Sequence, residues 1–331
     1  MEGIFYCEDV QFIGLLQKFI PVSQALSEEQ ASAPLNAAYD MFIRPLLGDT
    51  LADRFYGLAA NPGNEPSEEE SYVLELLRRA TANLAFWYSF TELNTHITDQ
   101  GFQRIEGDTH KPVFRYQELE LKQQFRNKGF NAVDTLLRYL QENTDTFTEY
   151  AESPAYINIS KGIVHGPEEI DKYFYVNGSY LVFLKIAPSF RRIMETFIEP
   201  TVGEKVFLFL DSYLNGELKD EADVRLAEQL RSRMAAVVIC MALSEHVRNI
   251  GEITDRGLYY TNIQANTAEN QNVNQASDSE RARQAANLSD TADQYMHRLI
   301  RWVENNMNDK FAGHPEDAFN RDNDHKHTFW A

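Results

Sequence analysis

The sequence predicts a mainly α protein with two tandem-repeated helical-bundle domains, each carrying a small β-hairpin. The clearest observation is a pentapeptide that occurs twice, Ile-Thr-Asp-Gln-Gly at residues 97–101 and Ile-Thr-Asp-Arg-Gly at 253–257. Residues 42–45, Phe-Ile-Arg-Pro, return similarly as residues 197–200, Phe-Ile-Glu-Pro. Two further landmarks return in the same order: Leu77-Arg78 as Leu230-Arg231, and residues 136–143 as 299–306. Nearly constant separations between the copies indicate a tandem duplication whose insertions lie in loops.

Length and composition fit two folded domains. The 331 residues exceed what a single hydrophobic core usually supports, whereas half of them make a common domain size. Hydrophobic residues form 43% of the chain and aromatic residues 12%, which favours a folded protein over a disordered one. We therefore predict a first helical repeat over residues 1–150, a second over 151–308, and an acidic tail over 309–331.

The helices of the first repeat are predicted from capping and breaking residues. Ser27 with Gln30 forms a capping-box pattern, and Ser67 before three glutamates begins a long amphipathic helix. Pro45 predicts an end or a kink, because proline lacks the donor for the helix ladder, and a break is expected at Gly129. The predicted helices are 9–20, 27–45 with a restart at Pro34, 46–56, 67–88, 116–125 and 131–142.

Between residues 93 and 105 the pattern changes from a helical period to two short extended arms around a tight turn. An aspartate in such a turn can bond the backbone two residues on, and a glycine accepts positive φ, which explains why both recur. The sequence predicts hairpins over 93–105 and 249–261. Their turn residues are Thr98, Asp99, Gly101, Thr254, Asp255 and Gly257.

The second repeat follows a linker over 144–166 that includes a short extended piece at 156–159. Pro167 and two glutamates after it begin the first helix, since proline and acids suit a helix amino end. Residues 262–280 are rich in Asn, Gln, Ala and Ser, and predict a polar, mobile excursion. The predicted helices are 180–186, 190–197, 204–214 and 221–246.

The charge disfavours tight nucleic-acid binding. The chain has 31 basic and 50 acidic residues, a net charge of −19, and no run of Lys or Arg. A protein that grips phosphates needs a basic face to release counterions. An acidic surface remains compatible with DNA that passes nearby without adhering, and it also simply keeps a protein soluble.

Cysteine usage and hydropathy predict a protein of the cytoplasm. Cys7 and Cys240 are the only cysteines, and Cys240 lies in an apolar run that predicts a buried thiol. The amino terminus lacks the basic region of a secretory signal, and no segment approaches the length of a membrane span.

No pattern of residues predicts a catalytic or metal site. His314, Asp324, His325 and His327 resemble metal ligands, but a terminal tail rarely supplies the second shell that a metal site needs. The two Thr-Asp-x-Gly turns have too few carboxylates for calcium. Motifs for nucleotide-binding, serine-hydrolase and zinc-protease sites are missing, so we expect no enzyme, metal or cofactor.

Apolar and aromatic groups lie near both ends of the chain, in residues 3–6, Gly-Ile-Phe-Tyr, and in Phe329-Trp330. Termini usually fray unless they are docked. Two interpretations stay open: local packing, or docking onto a neighbouring subunit.

The order of elements resembles a family of tandemly duplicated, mostly helical proteins of unassigned function from phages and prophage-like clusters of gut bacteria. Each half has an Ile-x-Pro step, a long helix, a Thr-Asp-x-Gly hairpin and a closing helix pair, over roughly residues 5 to 308. This plan is similar to the head–tail connector (adaptor) proteins of tailed phages, a likeness of fold only. The resemblance implies that the two hairpins lie at subunit contacts.

The expected function is therefore that of a structural virion protein, made in the bacterial cytoplasm, which forms a homo-oligomeric ring between portal and tail proteins. DNA would pass it without tight binding, and no membrane is involved. One alternative is a non-viral helical module that binds a partner protein. Another is a hydrolase with a site assembled between the repeats.

Overall fold

The computed structural model describes residues 3–5, 12–22, 26–61, 65–93, 95–98, 101–104, 115–249, 259–261, 273–275 and 278–311. These residues are mainly α-helical, which confirms the predicted fold class at this level. The chain divides into two compact units, Met1–Ile157 and Asn158–Ala331.

The first unit is centred on two long helices, α5 (Glu68–Tyr88) and α7 (Arg115–Glu142), which pack along each other. Buried leucines of both helices form the middle of its core: Leu77, Leu84, Leu136, Leu137 and Leu140. The helices up to the division are α1 (Phe12–Leu16), α2 (Glu28–Ala38), α3 (Arg44–Leu47), α4 (Asp49–Ala60), α5 (Glu68–Tyr88), α6 (Phe90–Leu93), α7 (Arg115–Glu142) and α8 (Pro154–Ser160), with a 3-10 helix over Thr148–Glu152.

The predicted capping box at Ser27 and the predicted helix start at Ser67 are both confirmed. The Ser27 hydroxyl accepts from the Gln30 backbone N–H at 3.2 Å, and the Gln30 side chain accepts from the Ser27 N–H at 3.3 Å. Ser67 and Glu70 make the same pair of bonds at 3.2 and 2.9 Å. The bond from the Ser67 N–H is the main reason why the pKa of the Glu70 carboxyl lies below its ordinary value. These local bonds fix where α2 and α5 begin.

Two local predictions in the first half of the chain are wrong. Helix α7 is continuous through Gly129. The glycine is there for packing and does not end the helix: a Cβ at this position would lie 2.7 Å from Leu84 Cγ, and without it α5 and α7 can approach closely. Residues 156–159 are helical rather than extended. The Ser153 hydroxyl accepts from the Tyr156 N–H at 3.1 Å, and Pro154 occupies the first position of α8, so this segment has a proper helix start.

The second unit repeats this arrangement, with α13 packed along α14. Its helices are α9 (Pro167–Ile170), α10 (Tyr180–Ile193), α11 (Glu199–Val202), α12 (Glu204–Leu214), α13 (Glu221–Asn249) and α14 (Asp278–Phe311). The buried residues along the pair include Leu230, Val237, Leu243, Leu299 and Val303. In the alignment of the two repeats, α13 corresponds to α5 and α14 corresponds to α7.

Two short antiparallel strand pairs are described. Strands β1 (Thr95–Thr98) and β2 (Gly101–Arg104) pair with Thr98 opposite Gly101, inside the segment 93–105. Strand β3 (Tyr259–Thr261) pairs with β4 (Val273–Gln275).

The prediction that a second hairpin spans residues 249–261 is therefore wrong in the partner of its last strand, β3. The partner of β3 comes after it, so residues 262–272 join the two strands, and not the turn at 254–257. Helix α13 continues to Asn249, the first residue of the predicted hairpin, and residues 250–258 lie outside the described part of the chain.

Each unit also contains one irregular bend, which we call the elbow. It consists of a π-helix, a short helix with proline at its second residue, and a glycine with positive φ. The first elbow has a π-helix over Tyr39–Ile43, then α3, then Gly48 at φ 78°, ψ 156°. The second has a π-helix over Met194–Ile198, then α11, then Gly203 at φ 89°, ψ 147°.

The prolines explain the elbows. Pro45 and Pro200 have no N–H, so an α-helical ladder cannot pass through them. Each helix instead becomes a π-helix, in which an N–H bonds the carbonyl five residues earlier. The N–H of Arg44 bonds the Tyr39 carbonyl, and the N–H of Glu199 bonds the Met194 carbonyl. The glycine conformation is one that other residues avoid, and it redirects the chain into α4 or α12.

Candidate functional site

Most of the residues predicted at the turns lie outside the described part of the chain. Thr98 and Gly101 are the facing ends of β1 and β2. Asp99, Thr254, Asp255 and Gly257 are outside the described residues, as are the histidines and Asp324 of the tail. The subunit-contact role of the hairpins stays a prediction.

The structure instead brings together four aromatic residues beside the first elbow, which we call the aromatic cluster: Phe42, Trp87, Tyr88 and Phe130. The ring of Phe42 lies 5.7 Å from Trp87, 5.9 Å from Tyr88 and 6.1 Å from Phe130, measured between centroids. Trp87 and Phe130 are 5.5 Å apart. Tyr88 is 51% exposed, and Met41, next to Phe42 in the chain, is 49% exposed. Large apolar groups thus reach the surface together.

Two cations of α7 border these rings. The Arg126 guanidinium lies 5.5 Å from the centroids of both Trp87 and Phe130. Lys122, one turn earlier, places its ammonium 6.0 Å from the ring of Phe90. Arginine, methionine and large aromatic residues are the types enriched where proteins bind each other. The arrangement is suited to protein–protein contact.

The second unit has a different surface at the corresponding place. Trp87 and Tyr88 align with Cys240 and Met241, which are 0% and 5% exposed, and Phe130 aligns with Asp293. Burial raises the pKa of the Cys240 thiol to about 12, which agrees with the predicted inert, buried cysteine.

Charged residues surround the second elbow. Both carboxylate oxygens of Glu245 accept from Arg192, and Arg191 donates to Glu195 at 2.5 Å. We call these four residues the charged surface of the second unit. The two units thus share a frame, while the surfaces near their elbows differ in chemistry.

An arginine of the long helix holds the beginning of each unit. Arg78 Nε donates to the Ile4 carbonyl at 2.9 Å, and Arg231 Nη1 donates to the Ile163 carbonyl at 2.8 Å. Ile4 and Ile163 are both buried. This supports local packing of residues 3–5. The signal that could have identified the pair is a Gly-Ile dipeptide, at residues 3–4 and again at 162–163.

In the second unit this arginine also meets a carboxylate. Arg231 makes two bonds of 3.1 Å to Glu169, and both side chains are only 11–13% exposed. Burial by itself would raise the pKa of the Glu169 carboxyl, but the bonds from Arg231 and from the His165 N–H hold it below its ordinary value.

A serine and a histidine also meet in the second unit. Ser189 Oγ lies 3.3 Å from His246 Nε2, and burial lowers the pKa of this imidazole. A hydrolytic triad needs a carboxylate to orient the histidine. The neighbouring carboxylate, Glu245, is bonded by Arg192 instead. The pair is explained as a satisfied polar contact inside the unit.

No group of three or more His, Cys, Asp or Glu side chains in the described part of the chain could hold a metal ion. None of the described helices combines the length and apolar character needed to cross a membrane.

Comparison with known proteins gives one family. The profile of a family of unknown function, DUF6712, matches residues 43–158 and 194–322, and the two regions are consistent with a tandem duplication. Each matched region begins at an elbow, at Ile43 and at Met194. No curated protein and no solved structure matches the chain.

Proposed function

The chain belongs to DUF6712, a family of unknown function, and from its paired folds we propose that it is a structural adaptor of the head–tail connector type. Such a protein forms a ring of identical copies that joins the portal of a tailed-phage capsid to the tail. It acts through protein–protein contacts, without catalysis, and is assembled in the bacterial cytoplasm as part of the virion.

One observation supports this proposal above the others: two units with the same elbow carry different surfaces beside it. The first presents the aromatic cluster, and the second presents the charged surface of Arg191, Arg192, Glu195 and Glu245. A protein that joins two unlike partners needs two unlike contact surfaces. Duplication of a stable frame followed by divergence of its surfaces provides both in one chain.

The test is co-expression of the full chain with the portal and tail proteins encoded beside it. Native mass spectrometry and negative-stain microscopy should show a ring that binds the portal. Only monomers, with portal present, would contradict the proposal. A gene neighbourhood without portal, terminase or capsid genes would favour the non-viral interaction module.

A matched pair of variants links this test to the surface. Tyr88→Asp places a charge in the aromatic cluster and should abolish one of the two contacts, because buried aromatic anchors dominate binding energy. Tyr175→Asp is the control, since Tyr175 is 74% exposed and lies in the second unit. Equal loss in both variants would show that the cluster has no special role.

A further inference from the structure

The aromatic cluster is not needed by the frame that surrounds it. The second unit builds the same elbow and the same long helix pair with Cys240, Met241 and Asp293 at the aligned positions. Phe42 returns as Phe197, whereas the other three rings of the cluster do not return. Of these three, Tyr88 is 51% exposed, so the frame alone does not account for it.

The α7 side of the cluster is basic, although the chain as a whole carries a charge of −19. Between Leu121 and Val133, α7 contains Lys122, Arg126 and Lys128 and no acidic residue. Lys122 and Arg126 lie one turn apart on the side that meets the rings of Phe90 and Trp87. An occupant that combines aromatic anchors with carboxylates complements this surface in both apolar character and charge.

The chain contains such a segment. Residues 312–331 follow the end of α14 and include Phe319, Phe329 and Trp330. Four carboxylates accompany these rings, from Glu316, Asp317, Asp322 and Asp324, against two basic residues. A segment of 20 residues can extend to about 65 Å, which is enough to reach a neighbouring molecule in an assembly.

We propose that residues 312–331 of a second copy of this chain bind the aromatic cluster of the first unit. The rings of the segment pack against Phe42, Trp87 and Tyr88, and its carboxylates face Lys122 and Arg126. This inference rests on the proposed function only in requiring that copies meet. It names the contact that links one copy to the next.

The experiment uses the full chain with p-benzoylphenylalanine, a photo-crosslinker, in place of Tyr88. Equal amounts of normal and ¹⁵N-labelled chains are mixed, irradiated and digested. Mass spectrometry should find peptides of 312–331 attached at position 88, including pairs of one light and one heavy chain. The crosslinker in place of the exposed Tyr175 is the matched control and should capture this segment at a background level.

A charge exchange tests the electrostatic part. Lys122→Glu should lower the crosslink yield about two- to fivefold, the range for one exposed charge pair, and Glu316→Lys with Asp317→Lys in the same chain should restore it. Crosslinks only within one isotope would assign the segment to its own chain and overturn the proposal. Crosslinks to other peptides, or none, would also overturn it. If rings still form with portal in that case, the proposed function stands and this contact alone is wrong.

Discussion

Gly129 lies against Leu84 where α7 meets α5, and the repeat aligns this pair with Ala292 and Val237 of the second unit. Leucine with glycine and valine with alanine contain the same number of side-chain carbon atoms. Compared with the first unit, the second has one side-chain carbon fewer on its first long helix and one more on its second, so the total side-chain volume between the two helices is similar. Volume-conserving exchanges of this kind are the ones that packed cores tolerate.

This exchange gives a double-mutant prediction. Gly129→Ala alone should destabilise the first unit by roughly 1 kcal/mol, because overpacking costs about 1–3 kcal/mol and the better helix propensity of alanine returns about 1. Adding Leu84→Val should recover most of the loss. Urea unfolding of the four proteins in the cycle measures the coupling free energy. Simple additivity of the two substitutions would show that the side chains do not compete for this space.

Arg231 and Glu169 form an ion pair whose side chains are both largely buried, so removing one partner should have a measurable cost. Arg231→Met should destabilise the second unit by about 3 kcal/mol, since Glu169 and the Ile163 carbonyl lose their partner inside the unit. Arg78→Met is the comparison in the first unit, where the bond to the Ile4 carbonyl is lost, and it should cost at least about 1 kcal/mol. Urea unfolding measures both variants. An unchanged stability of the Arg231 variant would show that the buried carboxylate does not depend on this partner.

The histidines predict how stability depends on pH. Burial lowers the pKa of both His165 and His246 below the ordinary 6.5. Below that pH the unfolded chain binds protons that the folded chain resists, so stability is complete above 6.5 and falls as the pH drops toward the folded values. Glu169, whose pKa is also lowered, extends the loss into the acid range.

The measurement is urea unfolding of the second unit at pH 7.5 and pH 5.5. The natural chain should be less stable at pH 5.5, and the double variant His165→Gln, His246→Gln should lose less between the two conditions. An unchanged pH dependence in the variant would assign the effect to other groups.

Among the elements, the ends of the long helices show a second exchange. In the first unit, Arg54 of α4 lies 5.8 Å from the Phe147 ring and bonds Glu70 at 2.6 Å. In the second, the cation comes from Lys310 of α14, 4.5 Å from the Phe209 ring and paired with Asp223. The repeat aligns Arg54 with Phe209, Phe147 with Lys310, and Glu70 with Asp223. The cation and the aromatic ring have exchanged aligned positions, and the carboxylate has kept its position.

The elbows give the prediction that belongs to this scale. Gly48→Ala and Gly203→Ala should each destabilise their own unit by about 1–3 kcal/mol, because both glycines occupy a region of φ and ψ that side chains avoid. Gly57→Ala in α4 is the control. A Cβ at Gly57 meets nothing within 4 Å, and this substitution should stabilise the helix by up to about 1 kcal/mol. Thermal unfolding followed by circular dichroism separates the outcomes. Neutral elbow variants would mean that the bends relax.

How far the sequence predicts these elements depends on the range of the interaction. The starts of α2 and α5, at Ser27 and Ser67, depend on hydrogen bonds between residues three apart, so a short stretch of sequence is enough to predict them. The continuity of α7 through Gly129 depends on Leu84 in another helix, and no local pattern contains that contact. The aromatic cluster is hidden for the same reason. Its rings come from the elbow, α5 and α7, and each alone resembles an ordinary core position.

For the whole molecule, repeated landmarks such as residues 97–101 and 253–257 predict a tandem duplication, and the two regions matched by the family profile are consistent with it. The difference in surface between the units was not. It follows from which aligned residues are exposed, as with Tyr88 at 51% and Met241 at 5%. The positions that match between the repeats predict the fold that the two units share. The surfaces differ at positions that do not match, so the repeat pattern could not predict that difference.

The net charge of −19 gives the prediction at this largest scale, that the protein does not bind DNA tightly. Proteins that bind duplex DNA non-specifically reach dissociation constants of about 10⁻⁴ to 10⁻⁶ M. Their affinity falls steeply as the salt concentration rises, because the release of counterions from the DNA then yields less free energy. Here the acidic excess repels phosphates, and the cations beside the aromatic cluster, Lys122 and Arg126, are too few to form a basic face along a duplex. Fluorescence anisotropy of a labelled duplex at 50 and 200 mM salt should therefore show no binding up to about 100 μM protein. Micromolar affinity with a strong salt dependence would reveal a basic face, and DNA would then adhere to the protein instead of passing it.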